Sequence, residues 1–290
     1  MIIAQFPFIY ATVNAIGVLA HVLCALGLIL FAWRKHAKAS AATTWPTWKP
    51  WRYFGKTERC RFNPITMTMC YGVAMGVLAV SLRWVDFMFN RAVIRGEVRH
   101  FPGSTAFAGG VLVFFAVILI LSPFFSGNGK PLRQLQLFMP GLALHHAFNR
   151  TACLLASCCY GVPHRFGIVF PDISVPSIVY APGTRVFPSQ AIEAGVMLLL
   201  FGALLWLQLC GKRHLPIFPL VFGLTGFLLG FMRSPTLEPL PPMFGWLYPT
   251  PLAHLMVFWV GIALLVLMLL HKHWLDNPAP PPCGIEPKSA

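Results

Sequence analysis

Long stretches almost free of charge recur along this chain, and nothing else constrains its fold as strongly. The runs Ile9–Trp33 and Pro251–Leu270 contain no Asp, Glu, Lys or Arg at all. A helix needs roughly 20 predominantly apolar residues to cross a bilayer core. In lipid every backbone N–H and C=O must be satisfied within the protein, which leaves helices or a closed barrel. A barrel would show short strands of alternating polarity, whereas these runs are continuous. The expected class is therefore an all-α polytopic membrane protein. Seven spans are expected, near Ile9–Trp33, Ile65–Leu82, Ala108–Phe125, Leu137–Leu155, Gln190–Cys210, Pro216–Met232 and Pro251–Leu270. Charge content agrees: 10% of residues are charged, against about a quarter in soluble domains.

The first run has no basic segment or small-residue cleavage site ahead of it, so it reads as a retained span rather than a cleaved signal. Basic residues then set the orientation. With the N-terminus outside, segments 34–64, 126–136, 211–215 and 271–290 face inward and hold 14 of the 22 Lys and Arg. By the positive-inside rule this predicts a periplasmic N-terminus and a cytoplasmic C-terminus in a bacterial inner membrane. The net charge of +14 then belongs to topology and to anionic headgroups. No RNA-binding motif accompanies it, and no nucleic-acid partner is expected. Residues 1–276 read as one membrane domain and the Pro-rich 277–290 as a disordered cytoplasmic tail. Thr44–Tyr53, alternating tryptophan with proline and bases, suits an interfacial anchor. The two longest outer stretches are about 83–107 and 156–189, and long outer loops of this kind often carry function.

Chemistry concentrates around the fourth span. His146, Asn149, Arg150 and Cys153 recur at helical spacing and share one face. Ionisable residues inside a span are costly and mark function by default. Arg150 offers a planar fork suited to phosphate, and His146 a base or hydrogen-bond partner. Cys158 and Cys159 follow, and a cysteine near Arg150 suits a thiolate nucleophile; small packing residues or a disulfide explain the same positions. The eight cysteines show no C-x-x-C zinc pattern, so neither a metal nor a cofactor is expected. Glu193 stands beside a span, and an ion pair with Arg150 or Arg185 would satisfy it. Arg83 and Asp86 read as an interfacial pair.

Four blocks in order resemble the prolipoprotein diacylglyceryl transferase family. Arg150 and Gly161 keep the separation of the arginine and closing glycine in its signature G-R-x-G-N-F-x-N-G-E-x-x-G. His164–Asp172 (HRFGIVFPD) is similar to its W-G-x-x-F-P turn, Phe187–Glu193 (FPSQAIE) to its H-P-S-Q-L-Y-E, and Phe231–Pro235 (FMRSP) to its F-x-R-x-P. The resemblance implies transfer of a diacylglyceryl group from phosphatidylglycerol to a lipobox cysteine of a prolipoprotein, with glycerol phosphate leaving. It implies that Arg150 neutralises the phosphate, that Gln190 and Glu193 orient polar groups near the headgroup, that Arg233 is a second anion contact, and that the Pro-rich outer segment 162–188 forms a periplasmic cap. Together with the residue reading above, the candidate catalytic set is Arg150, His146, Cys158 and Glu193, with His146 the first candidate for the base, and the candidate substrate-binding set is Asn149, Cys153, Tyr160, Gly161, Gln190 and Arg233. The chain departs from the family at several positions. Cys153 and Cys158 replace a signature asparagine and glutamate. Ala108 and Phe187 stand where the family has histidines, and Gly226 and Gly230 where it has an arginine and a glutamate. A lipid-binding or transport protein on the same fold, or a thiol-dependent lipid transferase, are the competing readings.

Overall fold

The computed structural model describes residues 6–39, 67–77, 80, 103–125, 131–170, 180–181, 183–234, 242 and 246–270. The expected interfacial segment Thr44–Tyr53, the Arg83–Asp86 pair and the tail 277–290 lie outside them. Among the described residues there are seven helices: α1 (Phe6–Ala39), α2 (Met67–Val77), α3 (Gly103–Phe125), α4 (Pro131–Leu155), α5 (Ser189–Leu209), α6 (Ile217–Phe231) and α7 (Pro249–Leu270). Three segments are long and apolar enough to cross a membrane: Ala11–Ala32, Ser189–Leu209 and Pro249–Leu270. Met67–Val77, Phe107–Leu121 and Ile217–Phe231 are shorter apolar helices. The polar residues at the centre of α4 keep it out of both groups. Two short strands, β1 (Pro163–Val169) and β2 (Arg185–Val186), pair antiparallel between α4 and α5.

Helix α4 is the hub. It packs against α1 on one side and α5 on the other, while α6 pairs with α7 and α3 touches both α4 and α7. Phe114, Phe138, Phe218, Phe222 and Ile118 are fully buried in the shared core. Large apolar side chains also point outward, with Leu199 77% and Leu270 73% exposed. A surface of this kind has hydrocarbon, not water, as its solvent.

Lipid gives apolar helices little hydrophobic reason to associate, so close packing by small residues takes over. The α6–α7 contact obeys that rule. A Cβ on Gly223 would lie 2.5 Å from the backbone N of Phe258, and one on Gly261 2.8 Å from that of Leu220. At the α1–α4 contact a Cβ on Gly141 would lie 2.4 Å from His21 Cδ2.

Two helix ends differ in how they turn. Helix α5 closes in a Schellman motif: Gly211 takes φ +71°, with Lys212 N bonded to Leu207 O (2.8 Å) and Gly211 N to Gln208 O (3.0 Å). Glycine is the residue such a turn favours. Helix α4 closes in the same pattern, with Cys158 N on Cys153 O (3.0 Å) and Ser157 N on Leu154 O (3.2 Å). Here the left-handed position is Ser157, at φ +51°, and Cys159 repeats the conformation at φ +59°. A left-handed non-glycine residue costs roughly 1–2 kcal/mol, so the surroundings must hold this turn in place.

Candidate active site

A single carboxylate organises the centre of the bundle. Glu193, one turn into α5, is fully buried. Its Oε1 lies 2.7 Å from His146 Nε2. Its Oε2 lies 2.9 Å from Arg150 Nε and 2.9 Å from Arg233 Nη2. Three segments distant in sequence, α4, α5 and the end of α6, thus meet at one side chain. Arg150 and His146 are completely buried and Arg233 almost so. Burying charge is tolerated only when it is paired and hydrogen-bonded, and Glu193 meets that condition.

The contacts fix the hydrogen on His146. An ionised carboxylate only accepts, so the short bond to Glu193 places that hydrogen on Nε2. Arg150 Nε then donates to Glu193 rather than to His146 Nε2, 3.3 Å away. His146, expected from sequence as a base or hydrogen-bond partner, acts here as a donor to Glu193, and its Nδ1 finds no partner among the described residues.

Two guanidinium groups and one carboxylate leave one unit of positive charge in a buried place. Arg150 Nη2 and Gln190 Oε1 are also buried without a hydrogen-bond partner among the described residues. Native proteins rarely leave such groups unpaired unless a ligand completes them. The arrangement suits an anion with several acceptor oxygens.

The loops around the cluster are tied by backbone. Gly161 bridges Arg233, with Gly161 N on Phe187 O (2.9 Å), Val162 N on Met232 O (2.9 Å) and Phe187 N on Val162 O (2.9 Å). A Cβ on Gly161 would lie 2.5 Å from Met232 O, so the three segments meet only because this residue has no side chain. Gln190 Nε2 donates to the carbonyl of Cys158, and Ser189 Oγ to that of Cys159 (3.0 Å). These bonds hold the left-handed turn and bring Cys153, Cys158 and Cys159 together, with all three Sγ atoms within 4.8 Å of one another. All are free thiols. Tyr160 is buried with its ring against Phe170 and Tyr180.

Hydrogen bonding with Cys153 and Cys158 shifts the Cys159 thiol below its ordinary range; burial opposes this, and Arg233 and Arg150 assist. Hydrogen sharing with Cys153 and Cys159, together with burial, pushes Cys158 up.

The expected set is thus largely brought together: His146, Arg150, Cys153, Cys158, Glu193, Gln190, Gly161 and Arg233 converge. Asn149 does not join them. Its Nδ2 bonds Asn14 Oδ1 of α1 at 3.0 Å. Arg185, offered as a partner for Glu193, is exposed on β2, and Arg233 takes that role.

One residue was missed from sequence. His254 of α7 is fully buried. A Cβ on Gly226 would lie 1.8 Å from its Cδ2 and 2.4 Å from its Nε2. The ring therefore fills the space beside the position where the resembled family has arginine. Its Nδ1–H donates to Thr250 O (2.8 Å). That leaves Nε2 a bare acceptor, buried without a partner among the described residues, within electrostatic reach of Glu193, Arg233 and Arg150. The only sequence signal was a lone histidine in an apolar run, which reads as core.

The family model for prolipoprotein diacylglyceryl transferase matches residues 21–269. The chain is 27% identical over 187 residues to phosphatidylglycerol–prolipoprotein diacylglyceryl transferase 2 of Clostridium perfringens, covering 62% of this chain and 69% of that protein. It is 25% identical over 167 residues to the phosphatidylglycerol–prolipoprotein diacylglyceryl transferase of Clostridium tetani, covering 56% of this chain and 66% of that protein. No solved structure matches. With a family match running from α1 to the end of α7 and the buried arginine–glutamate cluster at its centre, the chain belongs to the prolipoprotein diacylglyceryl transferase family.

Proposed function

We propose that this protein transfers the diacylglyceryl group of phosphatidylglycerol to the lipobox cysteine of a prolipoprotein, at the Glu193 cluster within a bacterial inner membrane. The observation that carries this reading is the unbalanced positive charge around Glu193, with Arg150 Nη2 buried and unpartnered among the described residues. A phosphodiester supplies the missing charge and the missing acceptor. When the acceptor sulfur attacks the glyceryl carbon, negative charge grows on the departing phosphate oxygen. Arg150 and Arg233, already oriented by Glu193, stabilise that charge without having to reorganise.

The acceptor thiol must also lose its proton. His254 Nε2, a buried acceptor beside the cluster, serves as the base. It stands in for the histidine that is absent at Ala108, a residue packed in the apolar core. His146 and Gln190 act as positioning groups, His146 by holding Glu193 and Gln190 by holding the turn. The wider expectations belong to the same reading: seven spans, an N-terminus outside and an outer cap formed by segment 162–188, of which 171–179 and 182 lie outside the described residues.

The test is direct. Purified protein in phosphatidylglycerol nanodiscs, given a lipobox peptide, should add one diacylglyceryl unit to the peptide's cysteine, read by intact mass. A peptide of unchanged mass, beside an active relative assayed in parallel, would leave a lipid-binding protein without transfer chemistry.

A further inference from the structure

We infer that Cys153, Cys158 and Cys159 form a binding site for a divalent thiophilic cation of the zinc and cadmium class, placed so that its occupancy opposes lipid-phosphate binding at the Glu193 cluster. The first support is geometric. A zinc–thiolate bond of about 2.3 Å sets neighbouring sulfurs about 3.8–4.0 Å apart in tetrahedral or trigonal sites. The three Sγ atoms already lie within 4.8 Å of one another, so modest rotations close the site. Cys153 is buried, and Cys158 and Cys159 are half-buried, which leaves an approach from the loop side.

The second support is preorganisation. Left-handed backbone at Ser157 and Cys159 folds the loop back over the end of α4. Ser189 and Gln190 pin that turn through the carbonyls of Cys159 and Cys158. Strained non-glycine backbone held by dedicated side chains is typical of functional sites, and packing alone would not require it. Spacing in the sequence shows no metal pattern because the ligands are gathered by this turn, not by a C-x-x-C repeat.

Charge supplies the third support. On binding a divalent ion, three thiols release their protons and the tris-thiolate site carries one net negative charge. Arg150 has all three cysteines as electrostatic neighbours, and Arg233 has Cys159. The Glu193 cluster carries one net positive charge, so cation binding neutralises the same excess that a lipid phosphate would. Two ligands drawing on one charge excess bind with negative coupling, and linkage makes the effect reciprocal. The coupling half of this inference rests on the proposed phosphatidylglycerol site; the cation half does not.

Reduced, chelator-washed full-length protein in detergent micelles is titrated with cadmium(II) alone, followed by thiolate–cadmium charge-transfer absorption. One cadmium per chain is expected. A chain with alanine at Cys24, Cys60, Cys70, Cys210 and Cys283 should keep it, while C158A and C159A should each weaken it by about tenfold or more. These two lie in the turn, so they decide the matter even if C153A fails to fold; thermal melting of each variant reports folding. Undiminished cadmium binding in C158A and C159A, or none in the wild type, overturns the site. Cadmium-loaded protein should then bind phosphatidylglycerol vesicles about fivefold or more weakly. Unchanged vesicle binding overturns the coupling and leaves the site standing. Failure of the metal-free protein to bind these vesicles strikes the transferase reading instead, because the cadmium titration contains no lipid.

Discussion

Replacing Arg150 with glutamine should reduce diacylglyceryl transfer by about two to three orders of magnitude while leaving the fold largely intact. The outcome depends on how Glu193 is shared. After R150Q the carboxylate still receives His146 at 2.7 Å and Arg233 at 2.9 Å, so no buried charge is stranded. What disappears is the guanidinium whose Nη2 has no partner among the described residues. R150K should recover little, because an ammonium is a point charge and cannot hold Glu193 and a phosphate through one rigid fork. E193Q should behave in the opposite way. It leaves two buried guanidinium groups facing a neutral amide, and losing one partner of a buried ion pair typically costs about 3–5 kcal/mol. Peptide mass-shift rates beside thermal melting in the same micelles separate the cases. If R150Q transfers at the wild-type rate, the phosphate assignment fails.

The second large effect is expected at a residue with no functional group. G226A should destabilise the protein by about 1–3 kcal/mol, the range for overpacking a tight interior, because the new methyl would sit 1.8 Å from His254 Cδ2. H254A opens the space that G226A fills, so the double variant should regain most of the lost melting temperature. Transfer activity should not return with it. H254A alone is expected to slow transfer by about 10²–10⁴-fold, and the double variant should remain at that level. A double variant as unstable as G226A would show that the two positions do not share their space. Full activity in H254A would return the base to another residue.

These two cases also show why only part of the site could be read from the chain. His146, Arg150 and Cys153 form a helical stripe, and a polar stripe inside an apolar run is visible without coordinates. Asn149 obeys the same spacing rule but lies on the flank of that stripe, where α1 approaches closely through Gly17 and Gly141. A helix–helix approach of that kind leaves no trace in periodicity. Glu193 and Arg233 were legible as members of ordered blocks, yet their meeting at one carboxylate depends on a tertiary crossing. His254 was hidden because its role exists only in relation to Gly226, 28 positions earlier. Strand β2 was missed since two residues have no alternation to detect, and β1 since only one of its seven residues is buried. The helical class itself was plain, because long uncharged runs admit few other structures.

Main-chain atoms, rather than side chains, decide where Arg233 stands. Phe187 contributes to that ladder only its amide and carbonyl, which any amino acid other than proline can provide; Gly161 contributes an empty volume, which no other amino acid can. Two adjoining positions therefore differ sharply in tolerance. The first can lose a histidine and keep its architecture, whereas even one added methyl at the second would push apart the segments on which the arginine depends.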